Sequence, residues 1–130
     1  MTLDQIVYAW TEDLFPIMDQ HIFTLDEVND VLFRIWAVRY PGEDQPIAKG
    51  GRSESRAETD GRIMHLPMIA RSMPVILHEL SHIIELREGR NGSHGPDFMK
   101  TVIGLYSAYL PLAEDVLLNH ARLLHIEVSE

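Results

Sequence analysis

The sequence predicts an α+β fold in which a small antiparallel sheet of three strands lies between helices. Over residues 3–36 and 98–124, apolar residues recur every three or four positions, which is typical of amphipathic helices. Between Pro46 and Pro67 the pattern changes to short runs separated by glycine, which is typical of strands and turns. The chain of 130 residues is long enough for one modest hydrophobic core. We therefore expect a single domain over residues 1–130.

Two helices are predicted before the sheet. Residues 3–14 carry apolar side chains at helical spacing, and Pro16 interrupts that pattern. Thr24 followed by Glu27 is the pattern of a capping box, in which each side chain accepts a hydrogen bond from the other residue's backbone N–H. A second amphipathic helix is therefore expected to begin after Thr24 and to continue through Trp36.

The sheet is predicted from turn signals. A turn at residues 40–44 contains Pro41 and Gly42, both of which disfavour helix. Asp60-Gly61 is typical of a tight hairpin between two strands. The three expected strands are Ile47–Lys49, Arg52–Thr59 and Arg62–Leu66.

The longest apolar helix pattern contains His-Glu-Leu-Ser-His at residues 78–82. We expect Ser72 to cap this helix, which should run to about Glu88. At 3.6 residues per turn, His78 and His82 lie on one face, one turn apart. Two imidazoles so placed can bind one zinc ion, and Glu79 beside them can act as a general base. The helix is expected to be buried by Leu77, Leu80, Ile83 and Ile84.

Two more helices are predicted after the motif. Gly89 and Gly92 open a loop, and the next helix continues to Pro111, which breaks it. A final helix uses apolar residues from Leu112 to Leu124, and the last few residues are expected to fray.

A catalytic zinc ion usually has three protein ligands, so a third is needed. The chain has no cysteine, which leaves histidines and carboxylates. Glu85 lies seven residues, or about 10 Å along a helix, beyond His78 and is too far to share its ion. His94 follows a glycine-containing loop that lets the chain turn back, and it is the predicted third ligand. The reserve candidates are Glu114 or Asp115, with Asp97 as a weaker one.

The motif and the later His-Gly-Pro-Asp-Phe at residues 94–98 together resemble SprT-like zinc metallopeptidases. They are similar in particular to small uncharacterised metallohydrolases of phages and actinobacteria. The resemblance covers roughly residues 61–100. It implies that His78, His82 and His94 are the zinc ligands and that Glu79 is the catalytic carboxylate. It also implies a minimal zincin-like fold, with the sheet packed on the active-site helix.

The leading functional hypothesis is a zinc-dependent peptidase that acts on a peptide or protein substrate, held at the sheet edge near Ile63–Leu66. The donor to the oxyanion is left open among Tyr106, Tyr109, His65 and an arginine. One alternative is a non-enzymatic, zinc-stabilised interaction module whose metal site is closed by a residue such as Asp97. Another is a regulatory protease of narrow specificity that cleaves one partner.

Charge and composition limit the partners. The formal net charge of −9 argues against nucleic acid or an anionic membrane as the main partner. No apolar run approaches the roughly 20 residues of a membrane span, and no segment resembles a signal peptide. We therefore expect a soluble, cytoplasmic protein and leave the oligomeric state open.

Overall fold

A computed structural model describes residues 2–18, 21–90 and 93–130 of the chain. Within these ranges the protein has five α-helices and one sheet of three strands, so the predicted α+β class is confirmed. The helices are α1 (Leu3–Leu14), α2 (Leu25–Arg39), α3 (Met73–Arg87), α4 (Pro96–Tyr109) and α5 (Glu114–Leu123). The strands are β1 (Ile47–Gly50), β2 (Glu58–Asp60) and β3 (Ile63–Leu66).

Local capping explains where the first two helices begin. The Thr24 side chain accepts a hydrogen bond from the Glu27 N–H at 3.2 Å, and the Glu27 carboxylate accepts one from the Thr24 N–H at 2.9 Å. The predicted capping box is therefore confirmed. Thr2 and Gln5 form an equivalent box at the start of α1. Ser72 is the N-cap residue of α3, as predicted, although its side chain makes no capping hydrogen bond.

The sheet is mixed, and the prediction of a wholly antiparallel sheet is wrong. Its strand order is β1-β3-β2, with β1 parallel to β3 and β2 antiparallel to β3. The chain reverses direction from β1 to β2 and again from β2 to β3, so β1 and β3 point the same way. The second strand in the sequence, β2, is also shorter than expected, because residues 51–57 form an irregular crossover. Since β3 is paired on both sides, it has no open edge for a substrate, contrary to the expectation for Ile63–Leu66.

Two glycines make this path possible. A Cβ atom on Gly51 would lie 2.5 Å from the backbone nitrogen of Pro67, so only glycine allows the chain to leave β1 this close to the end of β3. Gly61 has a φ of 60° in the turn between β2 and β3, at the predicted hairpin.

Helix α3 lies at the centre of the core. Its apolar side chains pack against α4, and Trp10 of α1 stacks on Tyr106 of α4 with 5.7 Å between ring centres. The buried side chains of α3 include the four predicted from the sequence, namely Leu77, Leu80, Ile83 and Ile84. This packing holds the motif helix rigidly, as a site built on it requires.

The motif helix also contains a buried carboxylate outside the histidine cluster. Glu85 is 1% exposed and is bonded to the Arg90 guanidinium and the Thr101 hydroxyl. Arg90 and Thr101 thus compensate a buried carboxylate that would destabilise the fold if it had no partner. Glu85 is thus committed to structure, in agreement with its exclusion as a metal ligand.

The segments after α3 differ in part from expectation. Gly89 follows the helix with a φ of 80°, as a helix-ending glycine does, whereas the predicted loop residues Asn91 and Gly92 lie outside the described residues. The expected fraying of the C-terminus is wrong. Ile126 is buried, and the Ser129 N–H donates to the Pro96 carbonyl at 3.1 Å.

Across the three described ranges, no helix combines the length and the apolar character needed to cross a bilayer.

Candidate metal centre

Three histidine side chains converge at the surface of α3. His78 and His82 lie one turn apart on this helix, and His94 reaches them from the loop before α4. The Nε2 atom of His94 lies 3.2 Å from Nε2 of His78 and 3.1 Å from Nε2 of His82. The structure therefore brings together all three side chains that were predicted to be ligands.

Ordinary hydrogen bonds do not explain this convergence. Asp4 accepts a hydrogen bond from Nδ1 of His94, with an Oδ1–Nδ1 distance of 2.8 Å, and this places the hydrogen of a neutral imidazole on Nδ1. Nε2 of His94 then offers one in-plane lone pair, which cannot serve two donors at once. Three zinc-bound nitrogens at tetrahedral angles lie about 3.3 Å apart, given bonds of about 2.0–2.1 Å. The spacing and the donor type thus fit a zinc ion.

The electrostatic state of His78 also suits metal binding. Its side chain is 8% exposed, and burial lowers its pKa well below 6.5, with smaller contributions from His82 and His94. The imidazole is therefore neutral at pH 7, which leaves a lone pair for a cation.

Aromatic rings surround the imidazoles on two sides. Phe98, from the His-Gly-Pro-Asp-Phe segment, stacks on His82 with 4.5 Å between ring centres and meets His78 and His94 with its edge. Tyr8 of α1 stacks on His78 at 5.8 Å and meets His94 edge-on at 5.5 Å. These contacts hold the imidazole rings in fixed orientations, as a metal site requires.

The carboxylate of Glu79 lies beside the histidines and is buried. Its side chain is 9% exposed, and its Oε1 accepts a hydrogen bond from the Thr59 hydroxyl at 3.1 Å. Burial raises the pKa of Glu79 to about 7, although the Thr59 hydrogen bond and the charge of Arg56 oppose the rise. A carboxyl with a pKa near neutrality is suited to accept and release a proton at physiological pH.

This shift predicts how the stability of the metal-free protein depends on pH. The pKa of Glu79 is about 7 in the folded state, above its ordinary value of 4.5, so its stabilising contribution is complete below pH 4.5 and is lost as the pH rises through 7. Relative to Glu79→Gln, metal-free wild type should lose on the order of 2 to 3 kcal/mol of unfolding free energy between pH 5 and pH 8. Urea unfolding of both proteins at the two pH values measures this. An unchanged difference would contradict the shift.

A cavity of about 380 Å³ opens next to Glu79 and His78. Its lining combines apolar side chains with polar and charged ones. A larger cavity of about 580 Å³ lies near Trp36 and Arg87 and contains none of the three histidines, so its size does not make it the site. Lining the smaller cavity are Tyr8, Thr11, Phe15, Ser55, Arg56, Ala57, Ala70, Pro74, Val75, His78 and Glu79.

The structure places the reserve ligands elsewhere. Asp97 is in the first turn of α4, and Glu114 and Asp115 are in the first turn of α5. Within the described part of the chain, the group close enough to hold one ion contains the three histidines and no carboxylate. A fourth protein ligand such as Asp97 is therefore not positioned to close the site.

Most of the expected oxyanion donors are also misplaced. Tyr106 is fully buried and donates its hydroxyl to the Pro74 carbonyl at 3.2 Å. Tyr109 ends α4, and His65 lies on the central strand, opposite Lys49 and Glu58. An arginine, Arg56, does line the cavity beside Glu79.

The contribution of α1 to the site was not predicted from the sequence. Asp4 and Tyr8 stand one helical turn apart, and both contact the histidines. Their spacing was the only signal in the sequence, because the contacts join residues about 70 to 90 positions apart.

Comparison of the chain with protein-family models, with curated proteins and with solved structures finds no match in any of the three.

Proposed function

We propose that this protein is a zinc-dependent peptidase with a minimal zincin-like fold. One observation carries the proposal: three imidazole Nε2 atoms converge beside a buried carboxylate, Glu79, that faces a cavity. Three histidines are a ligand set that leaves zinc an open position for water or substrate. Membership of the SprT-like family stays a prediction from the sequence.

The residues around the cavity divide the chemistry of peptide hydrolysis between them. Zinc held by the three histidines would polarise the attacking water and the scissile carbonyl. Glu79 accepts the water's proton and delivers it to the leaving amine. Thr59 holds the Glu79 carboxylate in position by its 3.1 Å hydrogen bond. In the metal-free protein, burial raises the pKa of Glu79 to about 7.

We assign the oxyanion donor to Tyr8, whose ring contacts His78 and His94. Tyr8→Phe should keep the ring packing and the zinc but lower kcat about 10- to 100-fold, because one hydrogen bond to the developing oxyanion is lost. Steady-state kinetics with one peptide substrate measure this, and Tyr109→Phe is the matched control. An unchanged kcat in Tyr8→Phe would refute the assignment.

Asp4 orients His94 through the hydrogen bond to Nδ1. Because the Asp4 side chain is 67% exposed, we expect its removal to reduce zinc affinity by an amount at the lower end of the range usual for a hydrogen-bond partner of a metal ligand. Asp4→Ala should weaken zinc binding about tenfold. Competition with a metal chelator measures the affinity, and Glu12→Ala on the same helix is the control. Equal zinc affinities in Asp4→Ala and wild type would show that His94 needs no such support.

An extended substrate fits the outer edge of β2 better than the predicted position on β3. Strand β2 is at the edge of the sheet, and Thr59 on it contacts Glu79. Backbone hydrogen bonds to this edge would bring a peptide alongside the catalytic carboxylate.

The proposal is tested by measuring metal content and hydrolysis together. Untagged protein should contain about one zinc per chain by mass spectrometry and should cleave a mixture of synthetic peptides. A chelator should abolish cleavage, and added zinc should restore it. If zinc is bound but no peptide in a diverse mixture is cleaved, the peptidase assignment fails. If no zinc binds after reconstitution, the metal site fails as well.

A further inference from the structure

The cavity beside Glu79 has an apolar wall suited to a large hydrophobic side chain. Phe15 follows α1, Ala57 belongs to the crossover before β2, and Pro74 and Val75 begin α3. With a volume of about 380 Å³, the cavity is in the usual size range of ligand pockets. His78 and Glu79 line the same cavity, so an occupant would lie next to the reacting groups.

Arg56 is the feature of this cavity that the proposed mechanism does not use. It is the one cationic side chain among the described lining residues, and it has no ion-pair partner in the part of the chain that the structure describes. Burial raises the pKa of both Glu79 and Tyr8, and the charge of Arg56 opposes both rises because it lies near these groups. Arg52, four residues earlier, is instead paired with Glu58 at 3.2 Å and Asp60 at 3.6 Å.

Glu79, the apolar wall and Arg56 correspond to three groups on one residue of a substrate. The residue that follows a scissile bond carries the leaving amine, a side chain and a carboxyl group on the same Cα atom. Glu79 protonates the amine, and the apolar wall beside Glu79 receives the side chain. The remaining group, the carboxyl, can pair with Arg56, which lines the same cavity and is exposed. A guanidinium binds a free carboxylate with two parallel hydrogen bonds, but it makes a weaker contact with an uncharged amide.

Building on the proposed peptidase function, we propose that the enzyme removes a large apolar residue from the C-terminus of a peptide, with Arg56 binding the terminal carboxylate. One water is consumed. Its oxygen bonds to the carbonyl carbon as the C–N bond breaks, and one of its protons passes through Glu79 to the leaving amine. The products are a peptide shortened by one residue and a free apolar amino acid.

The test uses two peptides that end in phenylalanine and differ only in a free carboxylate or a C-terminal amide. Zinc-loaded wild type should cleave the last bond of the free acid with a kcat/KM at least about tenfold above that for the amide. Arg56→Ala should abolish this preference, and Arg52→Ala, which alters a paired arginine in the same crossover, should keep it. An equal or higher rate for the amide would overturn the proposal.

A binding measurement separates this proposal from the peptidase assignment itself. Zinc-loaded Glu79→Gln should bind the free acid at least about tenfold more tightly than the amide by isothermal titration calorimetry, and Arg56→Ala in that background should remove the difference. Cleavage confined to internal bonds, or failure of both peptides to bind, would overturn the C-terminal preference. Zinc content and cleavage of the diverse peptide mixture would still decide the proposed function.

Discussion

Glu79→Gln should retain about one zinc per chain and the wild-type fold, while kcat for peptide hydrolysis falls at least about 100-fold. Glutamine has nearly the same shape as glutamate and can still accept the hydrogen bond from Thr59, but its amide cannot take up the water's proton. Zinc content by mass spectrometry, circular dichroism and steady-state kinetics on one peptide measure the three quantities. The expected loss is large because, among the described residues, the histidine group contains no carboxylate that could replace Glu79 as a base.

A matched control for this variant lies on the same helix. Glu88→Gln changes an exposed carboxylate at the end of α3, where its partner is the Tyr40 hydroxyl, and it should leave kcat unchanged. Full activity in Glu79→Gln would refute the general-base role. Loss of zinc in Glu79→Gln would instead show that the carboxylate supports the metal, as its 3.7 Å approach to His78 Nε2 would allow.

The histidine cluster was predictable because its main parts follow from local rules. The spacing of His78 and His82 fixes their common face on any α-helix, and the apolar residues between and around them require that helix to be buried. The choice of His94 followed from reach alone. The axial distance excluded Glu85, and the glycine-containing loop allowed the chain to return.

The direction of β1 could not be predicted in this way. Alternation of polar and apolar residues predicts which face of a strand is buried, but strands as short as four residues carry little information about the direction of pairing. The prediction followed the commoner antiparallel arrangement. The crossover after β1 depends on the close approach of Gly51 to Pro67, which is a contact between residues 16 positions apart.

The contribution of α1 was missed for a related reason. Asp4, Tyr8 and Arg56 make no pattern with the motif in the sequence, and only tertiary packing brings them to His94 and Glu79. Packing also explains the electrostatics, since burial contributes the largest part of the pKa shifts of His78 and Glu79. Motif residues thus indicate what chemistry is available, whereas the residues that contact and orient them come from distant parts of the chain.

Removal of the His94 imidazole should have the largest effect on metal binding. Wild type should bind about one zinc per chain, and His94→Ala should weaken the affinity more than about 100-fold, because it removes a ligand and not merely a residue that orients one. At a zinc concentration of 100 times the wild-type Kd, wild type should gain about 2.7 kcal/mol of unfolding free energy over its metal-free form, and the variant much less. Mass spectrometry of untagged proteins and urea unfolding measure the two effects.

His65→Ala is the control for this experiment, because it removes an imidazole from the central strand without touching the histidine cluster. It should bind zinc as wild type does. Full zinc retention in His94→Ala would refute the three-histidine site, since the 3.1 Å and 3.2 Å contacts of His94 would then have no role in holding the ion. Loss of zinc in His94→Ala with retention in His65→Ala would instead assign the ion to the point where the three Nε2 atoms converge. Asp4 and Tyr8 would then act on the metal through the imidazoles that they contact.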